Sequence, residues 1–159
     1  RVALKVEANG PLRKLVVEGD NYGRVRGYVA MPDPSLPPSV DPADTARTLG
    51  AVGLLTVVKD LRLKELYESV VPIQTGRLDS DLVYYLNHSE QAPSLVEIGA
   101  ELDDHGQLRA AGGLLLGTLP GHNLYTLRDL AERLDDMAPI AEMLAASHDC
   151  RPAFWPVAL

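Results

Sequence analysis

The sequence predicts an α+β fold, with mainly antiparallel β-sheet layers and packed helices, followed by a short helical linker region. The first 31 residues alternate apolar and polar side chains in runs that short turns separate. This pattern is typical of an antiparallel meander. Residues 79–88 repeat apolar side chains at helical spacing. Residues 95–116 form further apolar runs on both sides of a polar hairpin tip.

The predicted strands of the meander cover residues 2–8, 12–18 and 24–31. Asparagine, glycine and proline separate the runs, as expected for tight turns. Residues 32–42 contain five prolines, and proline is confined to edges and loops of sheets. We therefore interpret residues 32–42 as a long surface loop within one domain.

The sequence pattern in the middle of the chain predicts two strands and a helix. Residues 53–60 are apolar on both faces, which favours a strand in the centre of a sheet. A further strand covers residues 67–73, and the helix follows at residues 79–88. Asp79 and Asp81 lie in its first turn, where the helix dipole favours a carboxylate by about 0.3–1 kcal/mol. We expect both carboxylates to face water.

The strand at residues 95–102 alternates regularly and is predicted to be half-buried. One side carries Leu95, Glu97, Gly99 and Glu101, and the other carries Val96, Ile98, Ala100 and Leu102. The returning strand contains Gly112 and Gly113. This pair lacks the spacing and the lysine of a phosphate-binding loop. We interpret it as a bulge or a close backbone approach.

Two helices are predicted after Gly121. Thr126 is interpreted as the N-cap of the first helix, and Pro139 separates it from a second, short helix. The first helix has an apolar stripe made of Leu124, Leu127, Leu130, Leu134 and Met137. Packing on the sheet is the favoured interpretation of this stripe. The alternative is a client-binding or docking stripe that detaches and offers a pliable apolar surface.

Composition limits the classes of partner. The chain has 159 residues, a net charge of −7 and a pI of about 5.0, which argues against nucleic acid or an anionic membrane as the main partner. Its apolar runs are much shorter than a membrane span requires. The single cysteine excludes an internal disulfide and a multi-cysteine zinc site within this chain. We expect the chain to be a piece of a longer protein.

No catalytic set is predicted, so we do not expect an enzyme. His148-Asp149-Cys150 contains the residue types of a Cys-His-Asp site, but such sites are assembled from distant parts of a chain. A helix-end turn is favoured there. Asp103-Asp104-His105 is interpreted as a solvated hairpin tip rather than a metal site. A small anion or nucleotide platform formed by Arg24, Arg26 and Tyr28 remains an alternative interpretation, although an ordinary solvent-facing surface is favoured.

Several short motifs occur in a fixed order along the chain. They are Asn9-Gly10-Pro11-Leu12, Arg26-Gly27-Tyr28, the strand at residues 50–61 ending in Val-Lys-Asp-Leu, Tyr-Glu-Ser-Val-Val-Pro-Ile at 67–73 with Thr75-Gly76, Asp-Leu-Val-Tyr-Tyr at 81–85, Ser-Glu-Gln-Ala-Pro-Ser at 89–94, and Ala-Ala-Gly-Gly-Leu-Leu-Leu at 110–116 with Leu-Pro-Gly at 119–121. Together they resemble the 33-kDa redox-regulated heat-shock chaperone (33 kDa chaperonin) family of bacteria. Order and spacing agree from about residue 4 to residue 121.

The resemblance implies a cytoplasmic, ATP-independent holdase chaperone. Such a protein binds unfolded or oxidatively damaged client proteins through exposed apolar surface. The family also implies a homodimer, in which segments are exchanged between protomers. In the full-length family, a C-terminal module with four cysteine thiolates binds zinc and keeps the protein inactive. Oxidation forms disulfides and releases the zinc, which unfolds the linker.

This chain departs from the family pattern in its cysteines. Cys150 belongs to no Cys-x-Cys or Cys-x-x-Cys pair, so no cofactor is assigned to this chain, and zinc is implied only for the full-length family. Residues 1–121 are predicted to form a chaperone core whose N-terminal part is missing, and residues 122–159 a helical linker region. A small-molecule-binding or enzymatic domain on the same fold, or a structural dimerisation module, remain as alternatives.

Overall fold

The structure is a computed structural model that describes residues 1–32, 44–62, 64–118 and 124–146; the side chains of Leu124 and Thr126 are outside this description. Antiparallel strands and helices alternate along these ranges, and the predicted α+β fold is confirmed. The elements are β1 (Val2–Ala8), β2 (Lys14–Gly19), β3 (Val25–Val29), α1 (Ala46–Leu49), β4 (Gly53–Lys59), β5 (Tyr67–Pro72), α2 (Leu78–His88), β6 (Ser94–Leu102), β7 (Leu108–Gly117), α3 (Leu124–Asp135) and α4 (Ile140–Ala146).

The larger sheet has five strands in the order β3-β2-β1-β4-β5, and every neighbouring pair is antiparallel. Val6 of β1 lies opposite Leu15 of β2 and Leu55 of β4. β4 is paired on both edges, by β1 and by β5. The prediction that this doubly apolar strand is central is therefore confirmed.

The core lies on one face of the five-stranded sheet, beneath α2. Leu55 is fully buried, and Tyr85 of α2 is buried against the same cluster. The other buried members are Val6, Leu49, Val57, Val71 and Ile73. Each such apolar side chain contributes about 1.5–3 kcal/mol when it is removed from water. These contacts fix α2 across the sheet.

Three glycines let the backbone segments around α1 come together. A Cβ on Gly10 would lie 2.3 Å from the carbonyl carbon of Leu49, and a Cβ on Gly76 would lie 2.4 Å from the carbonyl oxygen of Gly50. Gly76 also has φ +78°, a conformation that favours glycine. The Thr45 hydroxyl accepts a hydrogen bond from the Leu78 N–H at 2.8 Å and donates to the Gly76 carbonyl at 2.9 Å. This junction determines where α2 begins.

The expectation that Asp81 faces water is wrong. Asp81 is only 4% exposed. Its carboxylate accepts hydrogen bonds at 3.0 Å from the backbone N–H groups of Gln74, Thr75 and Gly76. Located one turn into α2, the side chain reaches back over the β5–α2 loop. The loop donors are thereby satisfied inside the fold, as buried N–H groups require.

A second polar contact anchors the other end of α2. The Lys59 ammonium of β4 lies 2.6 Å from Glu90 Oε2, and the Tyr85 hydroxyl donates to Glu90 Oε1. The hydrogen bond from Lys59, aided by the one from Tyr85, lowers the pKa of Glu90. Burial, together with the Glu90 carboxylate, raises the pKa of Tyr85. The turn after α2 is thus tied to the centre of the sheet.

β6 and β7 form a separate two-stranded hairpin, which α4 covers. A Cβ on Gly99 would lie 2.9 Å from the Cβ of Ala141, and a Cβ on Gly112 would lie 2.2 Å from Leu144 Cδ1. Gly112 is closely approached, but by the Leu144 side chain of α4 rather than by a backbone segment as predicted. The irregularity in strand pairing lies elsewhere, between Glu101 and Leu102.

Several boundaries differ from the sequence predictions. β2 begins at Lys14 rather than at residue 12, because Arg13 adopts φ +60° and extends the turn. Thr126 lies inside α3, which begins at Leu124, so its interpretation as an N-cap is wrong. The proline-rich loop falls almost entirely outside the described residues. Among the described helices, none is both long and apolar enough to cross a membrane.

Candidate functional site

The two sides of the β6–β7 hairpin differ in their contacts with α4. α4 packs over the side that carries Glu97, as shown by the contact between Gly99 and Ala141. The opposite side of the hairpin has only apolar residues between Val96 and Leu115; its β7 members are exposed, whereas its β6 members between Val96 and Ala100 are half-buried. α2 also packs on β6. Leu115 is 60% exposed and Leu108 is 64% exposed. We call this surface the open side; its members are the half-buried Val96, Ile98 and Ala100 and the exposed Leu102, Leu108, Ala111, Gly113 and Leu115.

The covered side contains two carboxylates. Glu97 Oε1 accepts a hydrogen bond from the Ile140 N–H at 2.7 Å, which positions the beginning of α4. Glu101 Oε1 lies 3.1 Å from Arg109 Nη1. Glu101 Oε2 is buried and has no hydrogen-bond partner within the described ranges. The covered side therefore includes carboxylates, one of which binds the start of α4, while the open side has only apolar residues.

The predicted stripe on α3 faces the hairpin only in part. Leu127, Leu130 and Leu134 are half-buried, and Met137 is 51% exposed. The side chain of Leu124 is outside the described part of the chain. α3 contacts β6, whereas α4 packs on both β6 and β7. α3 is accordingly the more weakly held of the two helices.

A cavity of about 320 Å³ lies between α3 and the hairpin. Two residues of the predicted stripe, Leu134 and Met137, form one wall, and Leu95 and Leu114 of the hairpin form the other. Asp135 and Glu97 add carboxylates to this lining. The C-terminal end of the stripe thus lines a cavity that combines apolar walls with negative charge.

The arginines considered as an anion platform are already paired. Arg24 Nη2 lies 2.6 Å from Asp20 Oδ2, and Arg26 Nη2 lies 2.5 Å from Glu18 Oε2. Tyr28 is exposed beside them. Guanidinium groups that already bind carboxylates are poor receptors for a further anion. The solvent-face interpretation is favoured by this arrangement.

The residues considered as a metal site form a turn. Asp103 Oδ1 accepts hydrogen bonds from the N–H groups of His105 and Gln107, at 2.9 and 2.8 Å. Across residues 1–32, 44–62, 64–118 and 124–146, no group of three or more His, Cys, Asp or Glu side chains could hold a metal ion. His148-Asp149-Cys150 lies outside these ranges. The donor set that zinc requires is therefore not assembled by the residues described here.

These features together are those of an α+β domain with apolar surface suited to binding other proteins. The family model described as Hsp33 protein matches residues 1–153, and the chain belongs to this family. The match extends beyond residue 121, where the motif resemblance ends.

The similar proteins have consistent names. The chain is 43% identical over 146 residues to the 33 kDa chaperonin of Geobacter sulfurreducens, covering 92% of this chain and 48% of that protein. It is 39% identical over 148 residues to the 33 kDa chaperonin of Aquifex aeolicus, covering 91% and 45%. A solved structure of the 33 kDa chaperonin (heat shock protein 33 homolog) from Thermotoga maritima matches with a TM-score of 0.76 and 30% identity, over 92% of this chain and 51% of that one.

The chain spans about half the length of the curated relatives it matches. The names of these relatives identify a family of chaperones. The resemblance seen in the sequence motifs is therefore confirmed at the level of the family. Sequence reasoning did not predict which side of the hairpin is open. The glycines on the side of Glu97 and Glu101 were a usable signal, because a strand side without bulky side chains lets a helix pack closely.

Proposed function

We propose that this chain is the core of an ATP-independent holdase chaperone, which binds unfolding proteins through apolar surface without any covalent step. The observation that carries the proposal is the open side of the hairpin, where Leu108 and Leu115 are exposed. Contiguous apolar surface of this kind marks sites of interaction with other proteins. Clients are unfolded or oxidatively damaged proteins, and the setting is the bacterial cytoplasm, where the full-length protein forms a homodimer.

Binding on such a surface requires no nucleotide. Unfolding proteins expose apolar side chains, and each Å² of apolar surface removed from water contributes about 25 cal/mol. The same exposed leucines serve many different clients because the hydrophobic effect is not directional. The described side chains supply apolar area for this purpose.

The stripe on α3 extends this surface when α3 moves. Leu134 lies across the cavity from the hairpin wall that Leu95 and Leu114 form. Because α3 has few contacts with the hairpin, its displacement uncovers apolar groups on both partners at once. The stripe made of Leu124, Leu127, Leu130, Leu134 and Met137 is proposed as the second client-binding surface.

Redox regulation is proposed for the full-length protein only. Its zinc module requires several cysteines, and this chain has one. The chain alone should therefore suppress aggregation equally well in reductant and in peroxide. A client that aggregates when heated is followed by light scattering, without ATP. Suppression near equimolar ratio is expected in both conditions. A folded chain that suppresses nothing would contradict the holdase function.

Point variants test which surface is used. Leu115→Ser on the open side, and Leu134→Ser on α3, should each weaken suppression. Leu66→Ser is the matched control, because Leu66 is similarly exposed but lies before β5. Equal losses in the control and in the two test variants would refute this choice of surface. Circular dichroism establishes that each variant is folded.

A further inference from the structure

The cavity between α3 and the hairpin has a composition that selects among clients. Its walls combine Leu95, Leu114 and Leu134 with the carboxylates of Glu97 and Asp135. Among the described residues that line the cavity, none is Lys, Arg or His. Within the described residues, Asp135 forms no ion pair. An apolar cavity lined by negative charge is complementary to a partner that carries positive charge beside an apolar group.

The volume of the cavity limits the size of its occupant. At about 320 Å³, it lies at the low end of the roughly 300–1,000 Å³ that is typical of ligand pockets. One or two side chains of an extended peptide fit such a space, whereas a folded element does not. In an extended peptide, successive side chains project to opposite sides, so residues flanking the inserted side chain remain near the rim.

We infer that this cavity binds extended client segments in which a large apolar residue is flanked by lysine or arginine. The apolar side chain inserts between Leu134 and the hairpin, and the flanking cation approaches Asp135 and Glu97. The Glu97 carboxylate keeps its hydrogen bond to the Ile140 N–H through Oε1, while Oε2 remains available to the cation. This inference rests on the proposed holdase function and adds a client preference to it.

Labelled peptides test the preference directly. Three seven-residue peptides share a Leu-Phe-Leu centre, and two lysines, two glutamates or two serines lie on each side of it. Fluorescence anisotropy measures their Kd with the full 159-residue chain. Because an exposed charge pair adds only modestly to affinity, the lysine peptide should bind up to about fivefold more tightly than the serine peptide. The glutamate peptide should bind least tightly, and added salt should reduce the differences.

Variants separate the cavity from the overall negative charge of the chain. Glu97→Gln retains an oxygen that accepts from Ile140, and combining it with Asp135→Asn should bring the lysine-to-serine Kd ratio close to one. Asp104→Asn at the exposed hairpin tip removes one charge and should leave the ratio unchanged. A lysine preference that persists in the double variant would overturn the inference.

The outcomes also distinguish this inference from the proposed function. Suppression of aggregation together with equal affinity for the three peptides would refute the client preference and leave the holdase function standing. Failure both to bind any peptide and to suppress aggregation would refute both. The expected pattern is suppression of aggregation with a preference for lysine that depends on Glu97 and Asp135.

Discussion

Replacing Asp81 with asparagine should cause a large loss of stability from a single-atom change. The Asp81 carboxylate accepts from the N–H groups of Gln74 and Thr75 through Oδ1, and from the N–H of Gly76 through Oδ2. Asparagine keeps one acceptor oxygen and places an NH2 group at the other position. That NH2 group faces a backbone N–H that it cannot bind.

The magnitude follows from these contacts. A hydrogen bond to a charged group contributes about 1.5–3 kcal/mol, and a neutral one about 1 kcal/mol. Losing one charged bond and converting the others to neutral bonds costs about 3 kcal/mol in the free energy of unfolding. For a chain of this size, about 1 kcal/mol shifts the Tm by roughly 2–4 °C. We expect Asp81→Asn to lower the Tm by about 6–12 °C.

Thermal unfolding followed by circular dichroism measures this change, and Asp79→Asn is the matched control. Asp79 lies two residues earlier in the same helix turn and pairs with Arg77 at 2.8 Å. Burial opposes its ionisation, but the hydrogen bonds from Arg77 and Ser80 together lower the pKa of Asp79. As a pair near the surface, it should cost about 1 kcal/mol or less. Equal Tm shifts in the two variants would refute the role assigned to Asp81.

Two further predictions concern α4 and the Glu90 contact. Gly99→Val should displace α4 and increase the binding of an apolar fluorescent dye, because even a Cβ there would lie 2.9 Å from Ala141 Cβ. Ala111→Val on the open side is the control. Equal dye binding by the two variants would contradict the reasoning. The pKa of Glu90 is lowered below its usual 4.5, so its contribution to stability is present above about pH 4.5 and is lost as the pH falls through the folded-state pKa. Glu90→Gln should therefore flatten the decline in unfolding free energy below pH 4.5, as measured by urea titration, and an unchanged slope would argue against it.

Periodicity predicted most of the elements in this chain. β4 is apolar on both faces, and this pattern predicted its central position. α2 and the two hairpin strands were predicted within about two residues of their ends because their side chains repeat at helical or strand spacing. Such patterns depend on short stretches of chain, which is why one sequence suffices to predict them.

Other features depend on parts of the chain that are distant in sequence. Alternation along β6 separates two sides, but only the close approach of Ala141 to Gly99 decides which side is covered. The burial of Asp81 depends on the conformation of the loop before α2, which spacing does not encode. Thr126 was predicted as an N-cap because threonine favours that position, but nothing in Leu124 or Tyr125 prevents helical backbone before it. The core and linker boundary at residues 121 and 122 stays a prediction.

The buried carboxylates of the hairpin have a consequence for solubility. A domain with exposed leucines risks aggregating with copies of itself. Displacing α3 and α4 from the hairpin would hydrate Glu97 and Glu101 together with the newly exposed leucines. Glu101 Oε2, which is buried without a partner in the described ranges, gains water at the same moment. The uncovered side therefore carries negative charge that repels an identical surface, while a client of mixed charge is still able to approach.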